Sequence, residues 1–180
     1  MGMNQRRLGK YELQERLGSG AVGEVWKAFN TQQRCYVTIK IIPVNAQTSA
    51  DFTPRFYHEA QILAALHHPN IVPIQDFYMS QSGNEACIIM DYVEGPSLAD
   101  YLSATAHMGK IPPPAEIVGL LTPIADALDY AHQRNVVHGA LRAAAILLWQ
   151  GGRNILFTRR TKTHRFWVES HTESACSLAR

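Results

Sequence analysis

The chain has 180 residues, 46% hydrophobic and 18% charged, with a formal net charge of +2. That is room for one domain, or for one and part of a second, with a real core, and the charge balance gives no reason to expect nucleic acid or a membrane surface as partner. Three cysteines, Cys35, Cys87 and Cys176, share no CxxC spacing; they speak against a disulfide framework and a zinc site and fit a reducing compartment. The polar, basic N-terminus has no apolar segment behind it, and no run reaches the length of a membrane span, so the expected location is the cytoplasm.

In chain order, residues 11–17 and 24–30 read as strands around a glycine-rich turn. Residues 35–42 form a third strand, rich in β-branched side chains and stopped by Pro43. Residues 45–53 are polar loop. Pro54 then opens a helix with Phe56, Ile62, Leu63 and Leu66 near helical spacing, ending before Pro69. Residues 71–78 and 86–92 are two more strands, joined by the turn Ser82-Gly83-Asn84. After Gly95-Pro96 the pattern turns helical, first briefly at 97–104. Residues 115–133 then place Ile117, Leu120, Leu121, Ile124, Leu128 and Ala131 on one face, with Pro123 expected to bend the helix. Charge changes along the chain. Residues 1–150 hold 11 Lys+Arg against 13 Asp+Glu, and residues 151–180 hold 6 against 2, so the tail is a different kind of sequence from the body.

Gly18-Ser19-Gly20-Ala21-Val22-Gly23-Glu24-Val25 follows the pattern G-x-G-x-x-G-x-V. Glycine-rich turns are common and often only reverse the chain, so context matters. A dinucleotide fingerprint requires a helix after the glycines, and a P-loop requires Lys-Ser/Thr; here a strand opens with Glu24-Val25 instead. A hairpin tip without side chains can lay backbone N–H groups over a triphosphate. Lys40 sits mid-strand in Val37-Thr38-Ile39-Lys40. An isolated lysine of this kind is commonly an edge residue turned to solvent, but beside the glycine loop it reads as a phosphate ligand. A buried lysine needs a partner, and Glu59 on the following helix offers one.

Together these features resemble the serine/threonine protein kinases, especially bacterial eukaryotic-like kinases. His68-Pro69-Asn70-Ile71-Val72, the hinge-like Ile89-Met90-Asp91-Tyr92-Val93-Glu94-Gly95, and Ser97-Leu98-Ala99-Asp100-Tyr101-Leu102 extend the resemblance over residues 11–148. It implies an α+β, protein-kinase-like fold: a complete β-rich N-lobe with one helix, then a truncated helical C-lobe. The implied organisation is an N-terminal extension at 1–10, a partial kinase domain at 11–150 divided at 94/95, and an atypical basic tail at 151–180. The implied cofactor is ATP. Leu17, Val25, Thr38 and Leu147 would sandwich adenine, with Thr38 where the family usually has alanine, and Met90 would be the gatekeeper. Backbone groups of Asp91 and Val93 would bond the base, and Gly18, Ser19, Gly20, Ala21, Val22 and Gly23 would cover the phosphates. Lys40, held by Glu59, would reach the α- and β-phosphates.

The resemblance breaks at the catalytic loop, which in the family reads H-R-D-L-K-x-x-N. Here it reads His138-Gly139-Ala140-Leu141-Arg142-Ala143-Ala144-Ala145. Ala140 stands at the base aspartate and Ala145 at the metal-binding asparagine; neither can take a proton or ligate Mg²⁺. Losing the base alone typically costs about 10²–10⁴ in rate. No Asp-Phe-Gly occurs in residues 149–180. Thr163-His164-Arg165-Phe166-Trp167-Val168 nevertheless permits the codons ACC CAC CGA TTT TGG GTT, which one base later encode Pro-Thr-Asp-Phe-Gly; from about Thr158 the tail reads as a frameshifted activation segment. Asn154 in Asn154-Ile155-Leu156-Phe157 is an alternative metal ligand if residues between Arg142 and Arg153 are an insertion or a second reading error. The expectation is an ATP-binding kinase-like domain with impaired or absent phosphoryl transfer. A serine/threonine kinase that transfers the γ-phosphate to protein is the alternative, and a non-functional gene fragment a third reading. The apolar face of residues 115–133 is expected to need a protein partner or to limit solubility.

Overall fold

The structure, a computed structural model, describes residues 6–20, 23–44, 51–149 and 153–156. Six antiparallel strands form one sheet in the order β1-β2-β3-β4-β6-β5. They are β1 (Arg7–Leu8), β2 (Tyr11–Gly20), β3 (Gly23–Asn30), β4 (Cys35–Pro43), β5 (Ile74–Met79) and β6 (Glu85–Asp91). Helix α1 (Phe52–Ala64) lies between β4 and β5 in sequence; α2 (Leu98–His107), α3 (Pro114–His132) and a hairpin of β7 (Ile146–Trp149) and β8 (Arg153–Leu156) follow the sheet. The α+β class and the β-rich lobe with one helix are as expected. Among the described residues no helix is long and apolar enough to cross a membrane.

Strand β4 organises the sheet because its side chains alternate between two buried faces. Val37, Ile39 and Ile41 join Tyr11, Leu13, Ala28, Cys87 and Ile89 in one core. Ile42, on the opposite face, packs with Phe52 and Phe56 of α1 and with Ala86. Thr38 and Lys40 share the face of Ile42, so the helix carrying Glu59 covers the same side of the sheet as the strand lysine. A third cluster (Leu63, Leu66, Ile71, Ala127, Ala131, Val136) joins the end of α1 to α3. A fourth ties Leu98 of α2, Ile124 of α3 and Ile146 of β7 together.

Several boundaries differ from the sequence expectation. Strand β1 lies inside the segment expected to be an extension, pairing Arg7 with Glu12 and Leu8 with Tyr11; two residues carry no readable period. Helix α1 starts at Phe52, ahead of Pro54, since proline is tolerated in a first helical turn, where its missing N–H has no intrahelical partner to lose. Strand β5 starts at Ile74, because Pro73 cannot donate to a ladder, and Ile71 and Val72 are buried before it. Pro43 is the last residue of β4. Helix α3 runs unbroken through Pro123, and its apolar face is divided. Ile124, Ala127 and Ala131 are buried and Leu120 packs against the fourth cluster, whereas Ile117, Val118 and Leu121 are 37%, 62% and 43% exposed.

A one-turn 3₁₀ helix, Ala143–Ala145, leads into β7, and the hairpin register pairs Leu147 with Ile155 and Leu148 with Asn154. Asn154 is therefore opposite a residue three positions beyond Ala145, on the order of 10 Å along the strand. The expected frameshift falls on residues that lie outside those described.

Candidate nucleotide-binding site

The cleft between the sheet and the helical segment has a volume of about 530 Å³. Leu17, Gly18, Ser19 and Gly20 of β2, Gly23 and Val25 of β3, and Thr38 and Lys40 of β4 form one wall. Opposite them stand His138, Ala140, Arg142, Ala144, Ala145 and Leu147, and the connection between the lobes contributes Tyr92, Val93, Gly95, Ser97 and Asp100. Val25 pairs with Lys40 across the β3–β4 ladder, and such cross-strand pairs share a face. The first wall is thus one continuous row of the sheet.

Gly23 has a structural reason to be glycine. Its φ is +113°, and a Cβ there would lie 2.0 Å from the carbonyl oxygen of Ile41. At Gly18 and Gly20 a Cβ would meet nothing within 4 Å, so packing within the chain does not require glycine at either. The base of the hairpin is fixed by Glu24. Its carboxylate accepts from Trp26 Nε1 at 2.9 Å and Arg16 Nη1 at 3.3 Å and lies 3.8 Å from Arg6 Nη1. The Trp26 hydrogen bond, aided by Arg16, holds this carboxyl below its usual range.

The far wall is brought in by backbone contacts at the hinge. Ser97 bridges to Leu147, and the Leu148 N–H donates to the Pro96 carbonyl at 2.9 Å. Ser97 also caps α2: the Asp100 N–H donates to Ser97 Oγ at 3.2 Å, while Asp100 Oδ2 accepts from Ser97 N at 3.0 Å and Oγ at 2.6 Å. Those bonds lower the Asp100 pKa, so the cap's stabilisation is complete above the ordinary carboxylate pKa of about 3.9 and is lost as pH falls through the lowered folded value. Ser97→Ala is expected to cost about 1 kcal/mol at neutral pH, with a smaller cost below the folded pKa, read from urea melts at several pH values. An equal cost at every pH would contradict the coupling between the two side chains.

In the catalytic-loop segment, Val136 and His138 are buried and the Ala140 N–H points to His138 Nδ1 at 3.4 Å. This positions Ala140 at the cleft, and the 3₁₀ turn, closed by Ala145 N–H donating to the Arg142 carbonyl at 2.8 Å, positions Ala145 there too. Of the residues expected to form the site, Glu59, Met90 and Asp91 do not line the cleft. Met90 is buried beneath it as the β6 register partner of Thr38, and Glu59 is half-buried on α1; neither Lys40 nor Glu59 lacks an interaction partner. Ala21 and Val22 lie outside the described residues. The sequence reading missed Tyr92, Gly95, Ser97, Asp100, His138, Arg142 and Ala144 as lining residues. All of them stood in the motifs compared with the family, but the sequence does not show which of those positions face the cleft; the Ser97–Leu147 bridge is what brings the segments together.

The protein kinase domain model matches residues 11–157. The chain belongs to the protein kinase family. Curated relatives of this kinase domain include the serine/threonine-protein kinase pkn2 of Myxococcus xanthus, 32% identical over 145 residues, and PkaA of Streptomyces coelicolor, 36% identical over 154. The matches cover 81% and 79% of this chain but only 17% and 27% of those proteins. Among solved structures, the PknI kinase domain of Mycobacterium tuberculosis is similar with a TM-score of 0.71 at 26% identity, over 88% of this chain and 62% of that one.

The family implies Mg²⁺ beside ATP, and Mg²⁺ is usually held by one or two carboxylates together with the phosphates. The described residues do not fit it well. Among the described residues Asp100 is the one carboxylate lining the cleft, and both Ser97 bonds engage its Oδ2. Among the described residues no three His, Cys, Asp or Glu side chains group to hold a metal.

Proposed function

We propose that this kinase-like domain, with an N-lobe up to residue 94 and the start of a C-lobe from residue 95, binds ATP in its interlobe cleft and transfers the γ-phosphate poorly or not at all. The observation that carries the reading is the contrast between the two walls. One wall has the open glycine positions 18 and 20 beside Lys40, which suits a polyphosphate. The other carries Ala140 and Ala145 where the family's base and metal ligand belong. Leu17, Val25, Thr38 and Leu147 supply apolar surface for the base, and the backbone of Asp91 and Val93 supplies donors and acceptors at the hinge. Glu59, from the helix on the same sheet face, supports Lys40. A titration calorimetry series with ATP, ADP and GTP tests the binding half: saturable binding of the adenine nucleotides is expected, and a flat ATP titration would end the reading.

The alternative, a serine/threonine kinase acting on protein, is favoured by its relatives, which carry that name. It requires another group to take the role of the base at Ala140. The one ionisable side chain nearby in sequence and in the cleft wall besides Arg142 is His138, which is buried and accepts from the Ala140 N–H at Nδ1.

A further inference from the structure

The charges lining the cleft are unequal. Lys40 and Arg142 face it from opposite walls, and the single carboxylate among the described residues, Asp100, is bonded through Oδ2 into the α2 cap. Arg142 is exposed, and among the described residues its side chain makes no hydrogen bond or ion pair, while Lys40 is half-buried in the sheet row beside Val25. In a kinase site the divalent cation neutralises the phosphates. Here the metal-ligand position 145 and the base position 140 both hold methyl groups, and an arginine fork, suited to two phosphate oxygens at once, stands between them in sequence.

We propose that the cleft selects the metal-free nucleotide, with Lys40 and Arg142 together providing the counter-charge that a divalent cation otherwise brings. This rests on the ATP-binding reading above. Free ATP carries more negative charge than its magnesium complex, so two cations against the one carboxylate that lines the cleft among the described residues favour the free form. Bound magnesium would also bring a positive charge toward Arg142 without receiving a ligand from position 145.

The test is calorimetry on the full 180-residue chain with ATP in EDTA and with ATP in excess Mg²⁺, at matched ionic strength near 0.1 M. The expected result is binding in EDTA that weakens on the order of threefold to tenfold when Mg²⁺ is added. Arg142→Ala is expected to weaken ATP binding in EDTA by about tenfold and to erase the magnesium effect, Arg142→Lys to retain most of both, and adenosine binding to change less than about twofold. Arg142 is exposed, so these variants fold, and the wild-type comparison needs no variant at all. Binding that requires or tightens with Mg²⁺ would overturn this inference while leaving nucleotide binding intact. An Arg142→Ala protein that binds ATP in EDTA as well as wild type would remove the arginine from it. Failure of ATP to bind under either condition would overturn the binding reading and this inference together.

Discussion

Lys40→Ala is expected to lower the affinity for ATP by at least about 100-fold, equivalent to about 2.7 kcal/mol, and to abolish any thermal shift that ATP produces. The size follows from position. Lys40 lies in the central strand of a six-stranded sheet, on the row that lines the cleft, and is half-buried. A charge held there by rigid neighbours on both sides, Val25 on β3 and Ile88 on β6, meets a phosphate at lower effective dielectric than a surface lysine would. The sheet has already ordered its stem, so binding does not have to order it again. Lys40→Met separates loss of charge from loss of packing, since it keeps an unbranched apolar stem. It should melt close to wild type without ligand and still show no ATP shift. An ATP affinity unchanged in both variants would mean that the nucleotide, if bound, does not rest on this strand.

The second large effect concerns the hairpin that closes the cleft. Gly23→Val should destabilise the domain by about 3–5 kcal/mol, read as a large drop in urea midpoint or melting temperature. Two costs combine. A β-branched residue is strained at a φ of +113°, and its Cβ would overlap the Ile41 carbonyl oxygen, 2.0 Å away. That oxygen cannot retreat easily, because Ile41 is buried in the core and paired with Glu24 on one side and Cys87 on the other. With a net stability for ordinary domains of about 5–15 kcal/mol, a loss of this size removes much of the folded margin. Gly20→Ala is the matched control: its Cβ enters open space, so stability should fall by less than about 1 kcal/mol. A Gly23→Val protein that melts like wild type would show that the β2–β3 tip is not held against β4 in this register.

These two glycines show what the sequence reveals and what it withholds. The spacing of glycines between two strands identified the hairpin, but it gave all three glycines the same role. Only the path of β4 behind the turn distinguishes Gly23, pinned by a backbone oxygen, from Gly18 and Gly20, which face open space. The alternation at Val37, Ile39 and Ile41 identified the core strand and put Lys40 on the opposite face, because a period of two is a local property. Contacts between distant segments left no such trace. The two-residue β1 is too short to show a period, and the cap carboxylate Asp100 enters the cleft only because Ser97 bridges to Leu147, fifty positions away. The 115–133 pattern identified a helix correctly, but periodicity cannot tell which apolar residues have a neighbour. Ile124 and Ala131 have one, and Ile117 and Leu121 remain exposed.

The same limit applies to the catalytic loop. Its alanines were visible in the sequence, and the structure adds that Ala140 and Ala145 line the cleft. A methyl group at position 140 leaves no side chain there to accept a proton from an attacking hydroxyl, and restoring Asp alone would still leave position 145 without a metal ligand. The account therefore separates two properties that the family normally couples, holding ATP and spending it.

The most direct test of that separation is transfer of label from γ-³²P-ATP, to the chain itself and to a generic protein acceptor, at a concentration where calorimetry shows the cleft to be saturated. The account predicts label incorporation no higher than in Lys40→Ala. Incorporation clearly above background that Lys40→Ala abolishes would contradict it, and would make this chain a working kinase despite Ala140.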